Sequence, residues 1–147
     1  MTERMYLADA NKAVARRLFD EVLNQHNPAL IDKIYAPNYV PHSLPSGFST
    51  DREGTKQFLS HYFHAFPDLQ FTVEDMIAEE NQVVVRYTGR GTHQGDLMGI
   101  APTGMQATAS AVLIVRIEDG KIVEDWLNLD QLGLLQQLGV VPSFAGT

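Results

Sequence analysis

After Pro67 the spacing of apolar residues changes period, and nothing else in the chain limits its fold as much. Leu69, Phe71 and Val73 alternate with Gln70, Thr72 and Glu74. Alternation at two sends successive side chains to opposite faces, so this stretch reads as a half-buried β-strand. Val83 to Thr92 repeats the pattern, with Val83, Val85 and Tyr87 on one face and Val84, Arg86, Thr88 and Arg90 on the other. Thr108 to Ile117 is strand-like from its valines and isoleucines. "EDGK" then reverses the chain, because Asp119 and Gly120 tolerate the positive φ of a tight hairpin. The return strand is expected from Ile122 to Leu129. "EENQ" supplies a turn before Val83, and "GDLMGIAPTG" is a glycine- and proline-broken loop.

Upstream of Pro67 the period is helical. Between Ala10 and Gln25, Val14, Leu18, Phe19, Val22 and Leu23 form one apolar stripe, with Lys12, Arg16, Arg17 and Glu21 opposite. "HNPAL" restarts a helix, with Asn27 expected to cap it and Pro28 placed where no donor is needed. Pro37 ends it near Tyr35. "YVPHSLPSGFST" reads as a loop or irregular edge segment, which puts Tyr39 and His42 on irregular backbone. "TDRE", Thr50 to Glu53, has the reciprocal capping pattern and opens a third helix with Leu59, Tyr62, Phe63 and Phe66 on its apolar face. At the other end, "DQLGLLQQLG" closes the chain as a short helix capped by Asp130, stopped by Gly139, and with Leu132, Leu135 and Leu138 on a shared face. Helices first and antiparallel strands after them, without repeats, specify one α+β domain over residues 1–147. Three helices laid across one face of a curved sheet make a half-cone with a pocket inside.

Composition closes off several function classes. With no cysteine there is no disulfide, thiolate metal site or cysteine nucleophile. Eighteen acids against eleven bases, a formal charge of −7, argue against a nucleic acid or an anionic membrane as partner. "MTERMYLADANKAV" lacks the apolar core of a signal peptide and no later run is long enough for a membrane helix, so a cytoplasmic protein is expected. The five histidines include one close pair, His61 and His64, without an accompanying carboxylate motif, and the glycines of "GTHQGDLMG" lack a P-loop lysine. No metal and no cofactor are expected. There is no GxSxG elbow either. What remains is acid-base chemistry in a pocket.

Strand parity sorts the acids of "KIVEDWLNLDQLG". Ile122, Glu124, Trp126, Asn128 and Asp130 point one way; Val123, Asp125, Leu127 and Leu129 point the other. Glu124 and Asp125 cannot serve one pocket together.

Four segments, "VARRLFDEVLNQHNPALIDKIYAPNYV", "GTHQGDLMGIAPTG", "VRIEDGKIVEDW" and "DQLGLLQQLG", taken in this order, give the chain a resemblance over nearly its whole length. It resembles the SnoaL-like polyketide cyclases of the nuclear-transport-factor-2-like superfamily. The resemblance implies a cone-shaped barrel of a curved, mainly antiparallel sheet with the N-terminal helices over its concave face, a deep apolar cavity, and a homodimer formed through the outer sheet. Its name-giving members, ester cyclases, close a ring by intramolecular aldol condensation without metal or cofactor. An aspartate moves the proton there, with histidine, glutamine and asparagine placed around the enolate. Carried across, the aspartate's position falls on Leu127, those of the histidine and glutamine on Leu113 and Ala111, and that of the asparagine on Pro41. An alkyl side chain neither accepts a proton nor donates a hydrogen bond, so the resemblance implies the fold without that mechanism.

Parity also predicts that Ala109, Ala111, Leu113 and Val115 face Leu127 and Leu129 across an apolar cavity, with Asp125 the one acid on that face. Burial there would raise its pKa and suit it to proton transfer. The expected activity is cofactor-free cyclisation or isomerisation of a hydrophobic, polyketide-like or cyclic carbonyl ligand. Asp125, His42 or His93 would transfer the proton, and Tyr39, Phe66, Tyr87, Leu113, Trp126 and Leu127 would form the walls. Two alternatives stand beside it: a non-catalytic domain that binds hydrophobic ligands, and an accessory role in polyketide hydroxylation.

Overall fold

A computed structural model describes residues 2–143; Met1 and residues 144–147 of the expected domain lie outside the described residues. The order is helix α1 (Glu3–Arg17), a π-helical segment (Leu18–Leu23), a 3-10 turn (Pro28–Leu30), α2 (Ile31–Ile34), β1 (Tyr35–Pro41), α3 (Arg52–Ala65), β2 (Gln70–Glu79), β3 (Gln82–Thr92), β4 (Gln106–Glu118), β5 (Lys121–Leu129) and α4 (Gln131–Gln137). The five strands form one open, mixed sheet in the order β1-β5-β4-β3-β2, antiparallel except for the parallel pair β1 and β5. The fold is α+β, with the helices held over the side of the sheet that carries Val83, Val85, Leu113 and Val115.

Helix α1 begins at Glu3, well before Val14, the first residue of the apolar stripe. Thr2 caps it by accepting the Met5 amide at 3.2 Å, and the first turns stay exposed at Met5, Tyr6 and Leu7, so hydrophobic periodicity gave no sign of them. The stripe itself then widens into the π-helical segment, where Leu18, Phe19, Val22 and Leu23 are all buried. Asn24 ties its end to the sheet: Oδ1 accepts the Phe71 amide at 2.7 Å and Nδ2 donates to the Phe71 carbonyl at 3.1 Å. That pair of bonds occupies part of the open edge of β2.

Four local expectations are corrected. Asn27 makes no side-chain cap; its carbonyl accepts the Leu30 amide instead, while Pro28 does stand at the first position. Tyr39 lies on β1 rather than on irregular backbone, because Tyr35–Pro41 finds parallel partners on β5, with a register shift between Tyr35 and Val40. Asp51, not Thr50, caps α3, accepting the Gly54 amide at 2.9 Å. In α4 the buried pair is Leu134 and Leu138, one helical turn apart, and Leu132 is exposed. Asp130 caps α4 as expected, at 3.0 Å from the Gly133 amide, and the Asp119-Gly120 hairpin takes positive φ at both residues.

A bulge on β5 amends the parity argument. Ile117 pairs with Ile122 and Arg116 with Glu124, so Val123 is the extra residue and Ile122 turns inward to join the core. Beyond the bulge the predicted parity holds: Val115 faces Asp125, Leu113 faces Leu127 and Ala111 faces Leu129.

Candidate active site

The helices stand off the concave sheet and leave two adjacent chambers. The larger, about 100 Å³, is lined from α3 by Phe58, Leu59, Tyr62 and Phe63, and floored by Gly89, Gly91, Ala107 and Ala109 of β3 and β4. Gly89 pairs with Ala109 and Gly91 with Ala107, so four positions in register carry at most a methyl group. The missing side chains let the aromatic wall close down on the floor: a Cβ on Gly91 would come within 3.1 Å of the Phe66 Cβ. The smaller chamber, about 60 Å³, lies under β1 and contains Tyr35, Tyr39, Thr55, Leu113 and Asp125. Leu23, Phe58, Leu59, Tyr87 and Leu127 line both and form the partition.

Asp125 is the one carboxylate among the described lining residues. It is 8% exposed, and desolvation pushes its pKa up to about 7 from 3.8. The Tyr39 hydroxyl, and more weakly the charge of His42, pull in the opposite direction without cancelling that rise. Tyr39 is 2% exposed and its hydroxyl lies 3.1 Å from Thr55 Oγ1. Burial, with the negative charge of Asp125 nearby, keeps the phenols of Tyr35, Tyr39 and Tyr87 protonated far above neutrality. A carboxylate poised near neutrality, enclosed by neutral phenols and alkyl groups, can take a proton from carbon and return it.

The other two candidates for proton transfer lie elsewhere. His42 is on the outer face of the sheet, its ring stacked on Trp126 at 4.9 Å and its Nε2 2.6 Å from Glu124. Only its backbone approaches the site, its amide donating to the Asp125 carbonyl at 3.1 Å. Glu124 also receives Arg116, whose hydrogen bond holds its carboxyl below the usual range. Trp126 is therefore no wall of the cavity: it pairs with Ile114 on the face opposite to Leu127, as strand alternation requires.

His93 is fully buried but lines neither chamber. Its Nδ1 accepts the Thr103 amide at 3.2 Å, and its backbone amide and carbonyl bond Met105 and Gly104. It pins the loop between β3 and β4 and packs 5.4 Å from the Phe66 ring. Phe66, Tyr87, Tyr39, Leu113 and Leu127 all reach the chambers; Phe66 lies in the larger, Tyr39 and Leu113 in the smaller.

Sequence reasoning missed Thr55, Phe58, Tyr35 and Ser43. Thr55 precedes Leu59 by four and Tyr62 by seven, so the helical period already placed it on the pocket face. Ser43 gave no local signal: its Oγ accepts the Leu127 amide at 2.8 Å, latching the loop after β1 across the edge of β5.

Residues 13–138 match the family described as SnoaL-like polyketide cyclase. The nogalonic acid methyl ester cyclase of Streptomyces nogalater is 31% identical over 113 residues, 74% of this chain and 83% of that protein. Two solved structures superpose over most of their length. AclR of Streptomyces galilaeus, a candidate hydroxylase, is 32% identical with a TM-score of 0.82, covering 92% of this chain and 85% of its own. IdmH of Streptomyces antibioticus, a candidate polyketide cyclase, is 30% identical with a TM-score of 0.77, covering 88% and 99%.

Proposed function

The chain belongs to the SnoaL-like polyketide cyclase family, and from that premise we propose that it binds a hydrophobic, polyketide-like ester or cyclic carbonyl compound and acts on it by acid-base chemistry with Asp125 as the proton-transfer group. The observation that carries this reading is one carboxylate, brought near neutral pKa by burial, at the polar end of an otherwise apolar cavity. In this reading the ligand's apolar body occupies the glycine- and alanine-floored chamber and its carbonyl end reaches Asp125. The chemistry is cyclisation or isomerisation and calls on no cofactor or metal. Leu127 and Leu113 are paired across β5 and β4 and both face the cavity; the resemblance implies an aspartate and a histidine at these two positions in the name-giving cyclases, and in this reading the base is displaced by two residues along β5.

The test is turnover. Polyketide esters and aromatic ketones are incubated with the protein and with Asp125→Asn, and products are resolved by mass. Conversion without added oxygen, lost in the variant, supports the reading; binding without conversion leaves a ligand-binding domain in its place. The likeness to AclR favours a second reading, an accessory role in polyketide hydroxylation, which a product heavier by one oxygen would support.

We also propose a cytoplasmic homodimer. No helix among the described residues is long and apolar enough to cross a membrane. On the outer face of the sheet Ile77, Val84, Ile114 and Trp126 lie in register across four strands, with Ile77 65% exposed. A second copy of the chain on this row would cover it.

A further inference from the structure

We infer that Tyr39 is the hydrogen-bond donor to the ligand's carbonyl oxygen, and that it becomes free for this role when Asp125 takes its proton. The inference rests on the reading of Asp125 given above and adds a second acting group to it.

Placement comes first. The parallel register of β1 on β5 sets Pro41 beside Asp125 and Val40 beside Glu124. Tyr39 and Pro41 are both buried and share the cavity side of β1, so the Tyr39 side chain and the Asp125 carboxyl border the same small chamber. The ring is held from two further directions. Thr55 of α3 meets its hydroxyl at 3.1 Å, and Tyr35 packs edge-on with ring centroids 4.5 Å apart. A donor fixed in this way needs little reorganisation when charge develops beside it.

The single phenolic proton has two competing acceptors. While Asp125 is ionised, its carboxylate, on the same chamber, is the stronger one, and in this inference the 3.1 Å contact with Thr55 is then made by the Thr55 hydroxyl donating to the Tyr39 oxygen. For a ligand with an acidic C–H next to a carbonyl, Asp125 accepts the proton from carbon, the C–H electron pair becomes the new C=C bond, and the carbonyl π pair moves onto the oxygen. Negative charge leaves the carboxylate and appears on the ligand oxygen. The Tyr39 proton follows the charge as a hydrogen bond, without being transferred. Return of the proton from Asp125 regenerates its carboxylate, giving the carbonyl compound when the proton goes to carbon and the enol when it goes to oxygen. Burial keeps Tyr39 a neutral donor throughout.

The titratable groups that face Asp125 are Tyr35 and Tyr39 from β1 and Tyr87 from β3, while the charge of His42 acts on it from the outer face of the sheet. From α3 the chamber receives only Thr55, Phe58 and Leu59.

The probe is 4-nitrophenol, whose absorbance separates phenol from phenolate, with nitrobenzene as the control that lacks an ionisable oxygen. In Asp125→Asn the competing carboxylate is gone, so at pH 8 this variant is expected to bind the phenolate more tightly than the wild-type protein does. Adding Tyr39→Phe to it should weaken phenolate binding by about tenfold or more, the worth of a hydrogen bond to a charged oxygen. Nitrobenzene binding should stay within about twofold, since a hydroxyl deletion changes little apolar surface. Equal phenolate affinity with and without the Tyr39 hydroxyl overturns the inference. So does a parallel loss of both compounds, which makes Tyr39 a packing residue only. If neither compound binds the wild-type protein or any variant, the cavity reading itself falls and takes this inference with it.

Discussion

Replacing Asp125 by asparagine isolates the energetic consequence of burying that carboxyl. In the unfolded chain the group ionises around 3.8; in the folded protein it does so only around 7. Between those values the unfolded state binds fewer protons than the native state, so stability falls as pH rises. The contribution is fully present below pH 3.8 and is lost as pH passes through about 7. A gap of roughly three pH units corresponds to about 4 kcal/mol as an upper bound, at about 1.4 kcal/mol for each unit. Asparagine keeps the shape and cannot ionise, so it escapes this loss. Urea unfolding of both proteins at intervals from pH 4 to pH 9 measures the effect, because other titrating groups act alike in the two chains and cancel in the difference. The variant's relative stability should climb through pH 5 and 6 and level off above about 7. A difference that stays constant across the range would refute the buried, carbon-facing carboxyl on which the proposed chemistry depends.

Three further outcomes are expected. Gly54→Ala, a change that elsewhere in a helix gains stability, should here cost upward of about 2 kcal/mol in thermal unfolding, because the added Cβ would stand 1.6 Å from the Ser49 carbonyl oxygen, and backbone cannot swing aside. Leu127→Ala removes part of the partition between the chambers; it should cost about 2 kcal/mol or more and shift the preferred ligand length upward in a homologous series of alkyl aryl ketones, which an unchanged preference would contradict. Ile114→Lys places a charge at the middle of the outer apolar row; light scattering should find the wild-type protein at twice the 16.4 kDa chain mass and the variant at that mass itself.

Local pattern made much of this protein legible in advance. The strands were readable because alternation at two is a property of neighbouring residues, and Val83, Val85, Leu113 and Val115 are buried together as it required. The Asp119-Gly120 hairpin and the Asp130 cap were readable because each is settled within four residues. Where two local rules competed, pattern was less decisive. Both Thr50 and Asp51 could have capped α3, and the carboxylate that accepts the Gly54 amide prevailed, steadied by Ser49 at 2.7 Å.

What the sequence determined by itself, then, is the α+β order of elements, the apolar inner row of the sheet, and the isolation of Asp125 as its single acid, since all three follow from spacing along the chain. Tertiary structure decided which candidates meet. His42 and Trp126 stack against each other on the outer face, His93 is spent on a loop, and Tyr39 with Thr55 comes to Asp125 from a distant strand and helix. Contacts of that kind depend on the parallel pairing of β1 with β5 and on a bulge at Val123, and neither leaves a mark in the local order of residues.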